Sequence, residues 1–297
     1  MSGPLQPLTE SEVGEAVAAL RQHPLGVDED VRVSLGGLQS KLLLVQVDGG
    51  WARPLGGMPS THILKPDPPE FPGLVASEAF AQRAAALAGL SAAESRLDTF
   101  GGKTVIVVTR FDRVAKGRGL VRRHQEDGCQ ALGIDPTGMG KYQTPNGAAS
   151  YRRLAKVFDI YSGDRSAELR RLAAMLTFTV AIGNTDAHLR NHAFLHRRND
   201  LSLAPIYDAS PTAEFAGTRE LALWVDGQSL LGVVTRDHII REAASWGLSL
   251  DKAEEVVEST LARLADVYDE AARETPEVSR SVVQACQRRT GKLLRQG

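Results

Sequence analysis

The stretch AIGNTDAHLRNHAFLH, residues 181–196, decides how the chain is read. It follows an apolar run, MLTFTVAIG, that reads as a helix, and it leads into a short strand. Asp186 and Asn191 stand in Asp-x-x-x-x-Asn spacing. A loop at that place can aim Asp186 at a hydroxyl proton while Asn191 reaches a metal; the plainer alternative is a helix-capping loop. Downstream, APIYDAS puts Asp208 after a strand-like pair, where a second metal carboxylate belongs, or where an ordinary turn residue would stand. Mg²⁺ takes few carboxylates and keeps phosphates and waters, so one Asp and one Asn suit it.

Working outward, the next informative stretch is SLGGLQSK, Ser34 to Lys41, between the runs VRV and LLLVQV. Adjacent glycines permit unusual backbone angles and close approach to a ligand, at a cost in chain entropy. A turn explains them, and so does a loop that wraps phosphate. Lys65 ends the strand THILK, as a compact positive charge suited to phosphate oxygens or as a solvated strand end. Glu78 follows on the next helix, where it can orient that lysine or simply face solvent.

Composition sets the frame. The chain has 297 residues, 42% hydrophobic and 24% charged, which is ordinary for a globular protein. A formal net charge of -1 argues against electrostatic nucleic-acid binding by the whole protein, so no direct DNA binding is expected. Cys129 and Cys286 lie far apart and form neither a disulfide framework nor metal-ligand spacing. The N-terminus lacks signal-peptide character and no apolar run approaches a membrane span, so a cytoplasmic location is expected.

The pass along the chain gives a helix capped by Thr9 or Ser11, with Val13, Val17 and Leu20 on one face. Val31–Val33 and Lys41–Val47 read as a β-pair around the glycine loop, broken off by Asp48-Gly49-Gly50. A strand over Thr61–Pro66, an irregular DPPEFPG and a helix over Leu74–Leu90 follow. SRLDTF and TVIVVTRF read as strands around Gly101-Gly102. The basic RVAKGRGLVRR reads as a loop. Thereafter helices are expected over Asp127–Leu132, Ala148–Ile160, Glu168–Ile182, Arg236–Trp246, Lys252–Glu274 and Glu277–Leu294, with strands HAFLH and LSLAP flanking RRND. The expectation is an α+β, bilobal, protein-kinase-like fold: a β-rich N-lobe over 1–111 with one long helix, and a helical C-lobe over 112–297.

SLGGLQSKLLL, THILKP, SEAFAQRAAALAGL, TRFDR, HQEDGCQALG, KYQ, GNTDAHLRN and LAPIYDAS, in this order, make the chain resemble the HipA-like serine/threonine kinases of bacterial toxin–antitoxin modules. LALWVDG and TRDHI extend the match. The resemblance implies ATP and Mg²⁺, with Ser34, Gly36, Gly37, Gln39, Lys65, Arg110, Phe111 and His188 at the nucleotide and Glu78 orienting the lysine. It assigns Asp186 as catalytic base, Asn191 and Asp208 to the metal, and Ser34 as a site of inactivating autophosphorylation. A phosphate there adds about -1.5 to -2 charges, which would repel incoming ATP. Implied partners are a protein substrate, such as an aminoacyl-tRNA synthetase, and an antitoxin or a separate small protein. Two departures stand out. Thr109 occupies a place where the family often has glutamate, and the glycine loop begins so early that the chain resembles a compact form without the extra N-terminal subdomain.

Other readings compete. A nucleotide-binding pseudokinase would act as an interaction module. His188, His192 and His196, every fourth residue, are a candidate zinc-hydrolase set, although HxxxH needs a helix and HAFLH reads as a strand. In HQEDGCQ, Glu126 and Asp127 either orient a cation or cap the next helix. The basic run Arg110–Arg123 is a solvated loop or a docking surface.

Overall fold

The computed structural model describes residues 4–20, 40–116, 119–197, 200–215, 217 and 219–296. The expected strand Val31–Val33 and the loop residues Ser34, Gly36, Gly37 and Gln39 lie outside them. By its internal contacts the chain divides into two units. The first takes the chain up to Ala79 with Ala93–Arg123, and the second takes Phe80–Ala92 with the chain from His124 onward.

The first unit holds β1 (Leu5–Leu8), α1 (Glu10–Ala19), β2 (Leu42–Val47), β3 (Gly50–Pro54), β4 (His62–Pro66), the start of α2 (Leu74–Leu87), β5 (Ser95–Phe100) and β6 (Lys103–Thr109). Its six strands form one antiparallel sheet in the order β1-β3-β2-β4-β6-β5. Thr9 caps α1 reciprocally with Glu12, donating its N–H to the carboxylate at 2.7 Å and accepting the Glu12 N–H at 3.2 Å. Val13, Val17 and Leu20 then pack with Leu42, Leu44, Leu64, Val105 and Val107. Gly14 permits that approach, because a Cβ there would lie 2.8 Å from the Gly101 nitrogen in the β5–β6 turn.

In this sheet, two strands exceed the expectation. Asp48 and Gly49 have φ of 49° and 82°, which is the twist of a tight hairpin, so the chain turns straight back into β3 instead of breaking off. β1 is short and contains Pro7, and it shows itself only by pairing with β3 at the sheet edge.

The expected loop RVAKGRGLVRR is instead a hairpin, β7 (Arg113–Lys116) with β8 (Gly119–Arg122). Its basic residues obscured the alternation of Val114 and Val121, which pair across the strands. Arg113 and Arg122 are opposite each other, yet each has its own partner. Arg113 bonds Asp112 at 2.5 Å and the Ser60 carbonyl at 2.9 Å, and Arg122 bonds the Gly57 carbonyl at 2.9 Å.

In the second unit come β9 (Gln125–Asp127), α3 (Gly128–Leu132), α4 (Tyr151–Tyr161), α5 (Arg165–Ile182), β10 (Ala193–Arg197), β11 (Asp200–Leu203), β12 (Glu220–Val225), β13 (Gln228–Leu230), α6 (Arg236–Ala244), α7 (Leu250–Glu274) and α8 (Arg280–Arg295). From Leu172 to Ile182 every residue of α5 is buried, as befits a helix apolar all round. It packs against α4, α6, α7 and α8 and ends at Gly183, which has φ of 76°. Phe80, Ala81, Ala84 and Ala85 of α2, with Ala88 just past its end, join the same core, Phe80 beside Tyr268 at 6.0 Å between ring centroids. Cys129 and Cys286 are buried free thiols. Among the described residues no helix is long and apolar enough to cross a membrane.

After β6, Asp112 is 5% exposed and takes two guanidinium groups, Arg110 at 2.7 Å and Arg113 at 2.5 Å. Burial alone would raise its pKa, but the hydrogen bond and charge of Arg110, with Arg113, pull it below the usual carboxylate value. A depressed carboxylate contributes stability that is complete above its unfolded pKa and is lost as pH falls through the folded one. Asp112→Asn should therefore cost about 3–5 kcal/mol at neutral pH, because it leaves buried cations uncompensated. In urea unfolding, the gap between variant and parent should be wide at about pH 7 and narrow toward about pH 3.

Candidate functional site

In the first unit the candidate residues include a buried ion pair. Lys65 at the end of β4 and Glu78 on α2 are 7% and 3% exposed, and the ammonium lies 2.6 and 2.7 Å from the two carboxylate oxygens. The sequence between them sets this distance. Asp67, just past the strand, accepts the N–H groups of Gly73 and Val75 at 2.8 Å each. It thereby satisfies orphan donors at the start of α2 and ties strand end to helix start. Arg110 bonds Asp112 and Ser60, so its guanidinium is already engaged. Phe111 follows it as a half-buried residue where β6 has ended.

In the second unit the loop leaving α5 carries Asp186. The Asn184 side chain accepts the Asp186 N–H at 3.0 Å, and the Asp186 carbonyl accepts the His188 N–H at 2.8 Å and the Asn191 amide at 2.9 Å. That last bond uses the Asn191 nitrogen and leaves its amide oxygen for another partner. Thr212 fastens the loop from the far side: its hydroxyl oxygen accepts the Thr185 N–H at 2.7 Å and lies 2.9 Å from the Thr185 hydroxyl. Nothing in the sequence pointed to Thr212, because a lone threonine after a proline has no pattern.

The segment Lys141-Tyr142-Gln143 also serves this loop. The Lys141 carbonyl accepts the Leu189 N–H, the Tyr142 hydroxyl donates to the Asp186 carboxylate at 3.3 Å, and Gln143 accepts the Trp224 N–H of β12. Asp186 is exposed by area yet ringed by protein on its remaining sides. Burial first, then the charge of Asp208, raises its pKa, against the opposing pull of Lys141 and Tyr142. Burial and the nearby Asp186 charge push Tyr142 up to about 12. His188 is pulled down to about 4 by burial and then by Lys141, and its Nδ1 has no hydrogen-bond partner among the described residues.

Asp208 has φ of 51°, a left-handed backbone that Asp48 and Asp226 share among the described non-glycine residues. The Asp208 carboxylate and the Asn191 amide oxygen are hard donors, of the kind that would suit a divalent cation such as Mg²⁺. His188, His192 and His196 do not gather. His192 Nδ1 lies 3.0 Å from the His188 carbonyl, and His196 Nε2 lies 2.7 Å from Glu126. The zinc-hydrolase reading of those three fails because α5 has already ended and the last of them is on a strand.

HQEDGCQ acquires a physical role. Asp127 caps α3 reciprocally with Gln130, at 2.9 Å in each direction. Gly128 donates its N–H to the His192 carbonyl at 2.8 Å, and a Cβ at Gly128 would fall 2.6 Å from the Leu189 carbonyl oxygen. The absence of a side chain thus lets α3 press against the turn Leu189–Asn191. Gly128→Ala should destabilise the protein by about 1–3 kcal/mol through overpacking. Gly232→Ala, where nothing lies within 4 Å, should leave the urea midpoint almost unchanged.

Against known proteins, residues 33–268 match the HipA-like C-terminal domain. A putative kinase, Y4mE of Sinorhizobium fredii, is 33% identical over 281 residues, covering 90% of this chain and 66% of that protein. The serine/threonine-protein kinase toxin HipA of Shewanella oneidensis is 30% identical over 221 residues, 69% of this chain and 49% of that one. The chain thus spans about half to two thirds of the length of these curated relatives. Among solved structures, HipA of Shewanella oneidensis MR-1, in complex with HipB and operator DNA, superposes with a TM-score of 0.80 at 23% identity. The match covers 99% of this chain and 71% of that one. With residues 33–268 of its 297 matched, the chain belongs to the HipA-like C-terminal domain family.

Proposed function

We propose that the protein is an ATP-dependent serine/threonine kinase that phosphorylates another protein. The observation that carries this reading is the loop of residues 183–191, hydrogen-bonded on both sides and presenting Asp186 beside Asp208 with the Asn191 amide oxygen left over. Asp186 takes the proton of the substrate hydroxyl. Asn191 and Asp208 hold Mg²⁺, which when bound neutralises charge on the phosphates. Lys65, held by Glu78, takes the nucleotide phosphates, with Gly36, Gly37 and Gln39 of the glycine loop wrapping them. Thr109 to Phe111 and His188 border the nucleotide, and the division of labour follows lobes at 1–111 and 112–297. Ser34 is the residue we assign to autophosphorylation.

Substrate and partners belong to the same proposal. A translation-linked target, such as an aminoacyl-tRNA synthetase, is the reading the family resemblance favours. An antitoxin partner is supported by the HipB complex of the Shewanella protein.

Incubation with γ-labelled ATP and Mg²⁺ tests the activity. Label should enter the chain at Ser34 and should disappear when a chelator removes the metal. Asp186→Asn should lower transfer by about 10²–10⁴-fold, the usual contribution of a general base. Its thermal midpoint should not fall, because the substitution removes a charge that lies near another of the same sign. A chain that binds ATP but transfers no phosphate under any of these conditions would be a pseudokinase acting as an interaction module.

A further inference from the structure

Residues outside the proposed kinase machinery gather on one face of the β9–β10 pair. Leu195 stands opposite Gln125 in the antiparallel register, and the His196 N–H donates to the His124 carbonyl at 3.0 Å, so His196 stands opposite His124. Side chains two apart on a strand share a face, and so do directly opposed pairs. His124, Glu126 and His196 therefore project together. Their rings and carboxylate meet: His196 Nε2 lies 2.7 Å from a Glu126 oxygen, and the two imidazole centroids are 4.6 Å apart. One ligand atom from each residue lies within 4.8 Å of the other two.

We propose that His124, Glu126 and His196 form a zinc site. Two imidazoles and one carboxylate with an open fourth position suit Zn²⁺, whose bonds of about 2.0–2.2 Å put ligand atoms about 3.3 Å apart. The present spacing needs only side-chain rotation to reach that. The His196–Glu126 hydrogen bond opens slightly as the ion replaces the proton between them. That hydrogen bond explains two of the three residues. It does not explain why His124, an exposed residue, turns its ring onto His196 instead of into solvent. Glu126 and His196 are half-buried and His124 is exposed, so solvent reaches the fourth position. The site would clamp β9 to β10. β10 leaves the Asp186 loop directly, while β9 runs into Asp127, which also pairs with Arg190 of that loop at 3.4 Å. It needs neither ATP nor kinase activity.

The test uses the full chain, stripped of metal and titrated with zinc chloride against a chromophoric chelator, with Co²⁺ absorption as a second readout. One equivalent should bind, with the visible spectrum of tetrahedral cobalt. Zinc at about 100 times its dissociation constant should raise the thermal midpoint by about 5 °C. Affinity should fall by at least about tenfold in each of His124→Ala, Glu126→Gln and His196→Ala, which remove a ligand or its charge. Asp208→Ala should keep the equivalent, separating this site from the oxygen-donor set. His124 is exposed, so His124→Ala tests the site without disturbing the core. Failure of the parent protein to bind zinc saturably, or binding that survives His124→Ala and vanishes in Asp208→Ala, would overturn the assignment.

Discussion

The site turns on two like charges that the fold forces together. Burial raises the pKa of Asp186, and the nearby carboxylate of Asp208 raises it further. Free in water, two such groups would separate. Here both are fixed by backbone: Asp186 by the bonds to Asn184, His188 and Asn191, and Asp208 by a left-handed conformation. Such a conformation costs about 1–3 kcal/mol and persists only where its surroundings over-determine it. Lys141 and the Tyr142 hydroxyl offset part of the repulsion at Asp186. In the proposed reading, a divalent cation bound there would relieve the repulsion between these two carboxylates.

Buried charge is handled differently in the first unit. Lys65 has Glu78, and Asp112 has Arg110 and Arg113, all of them at or below one-tenth exposure on their side chains. Well-packed apolar residues would serve stability as well or better, because desolvating two charges offsets most of their attraction. Stability is therefore a poor reason for such pairs. Position is a better one. The Lys65–Glu78 contact fixes a strand end relative to a helix, with Asp67 setting the spacing from between them. The Asp112 cluster fixes the chain where β6 gives way to the β7–β8 hairpin and reaches back to Ser60 beside β4.

How much of this was legible in the sequence depended on the range of the physics involved. Thr9, Gly89 and Gly183 announce helix ends because capping is local, and TVIVV announces a strand because its β-branched residues need no partner to be recognised. The Asp186–Asn191 spacing was readable for the same reason: six consecutive residues suffice to state it. β1 was not readable, because only its pairing with β3, more than forty residues away, defines it, and β3 was missed because the Asp48-Gly49 turn read as a break instead of a hairpin. Gly128 and Thr212 escaped on different grounds. A glycine needed for close approach looks like a glycine in a turn, and a hydroxyl that braces a loop has no period at all.

The histidines show how a correct residue can sit in a wrong pattern. Counting by four along 188, 192 and 196 presumes one helical face, with a rise of about 1.5 Å per residue and about 3.6 residues per turn. That geometry ends with α5. Beyond it come a loop and the turn Leu189–Asn191; only from Ala193 is the chain extended, where neighbours along the strand alternate in direction and the side chain facing His196 comes from the adjacent strand. Its neighbours in space are therefore His124 and Glu126, residues some seventy positions earlier, placed there by the register of β9 on β10. Spacing in a sequence has chemical meaning only after the period of the local backbone is known. A strand moves that meaning from residues in one turn to residues in two strands.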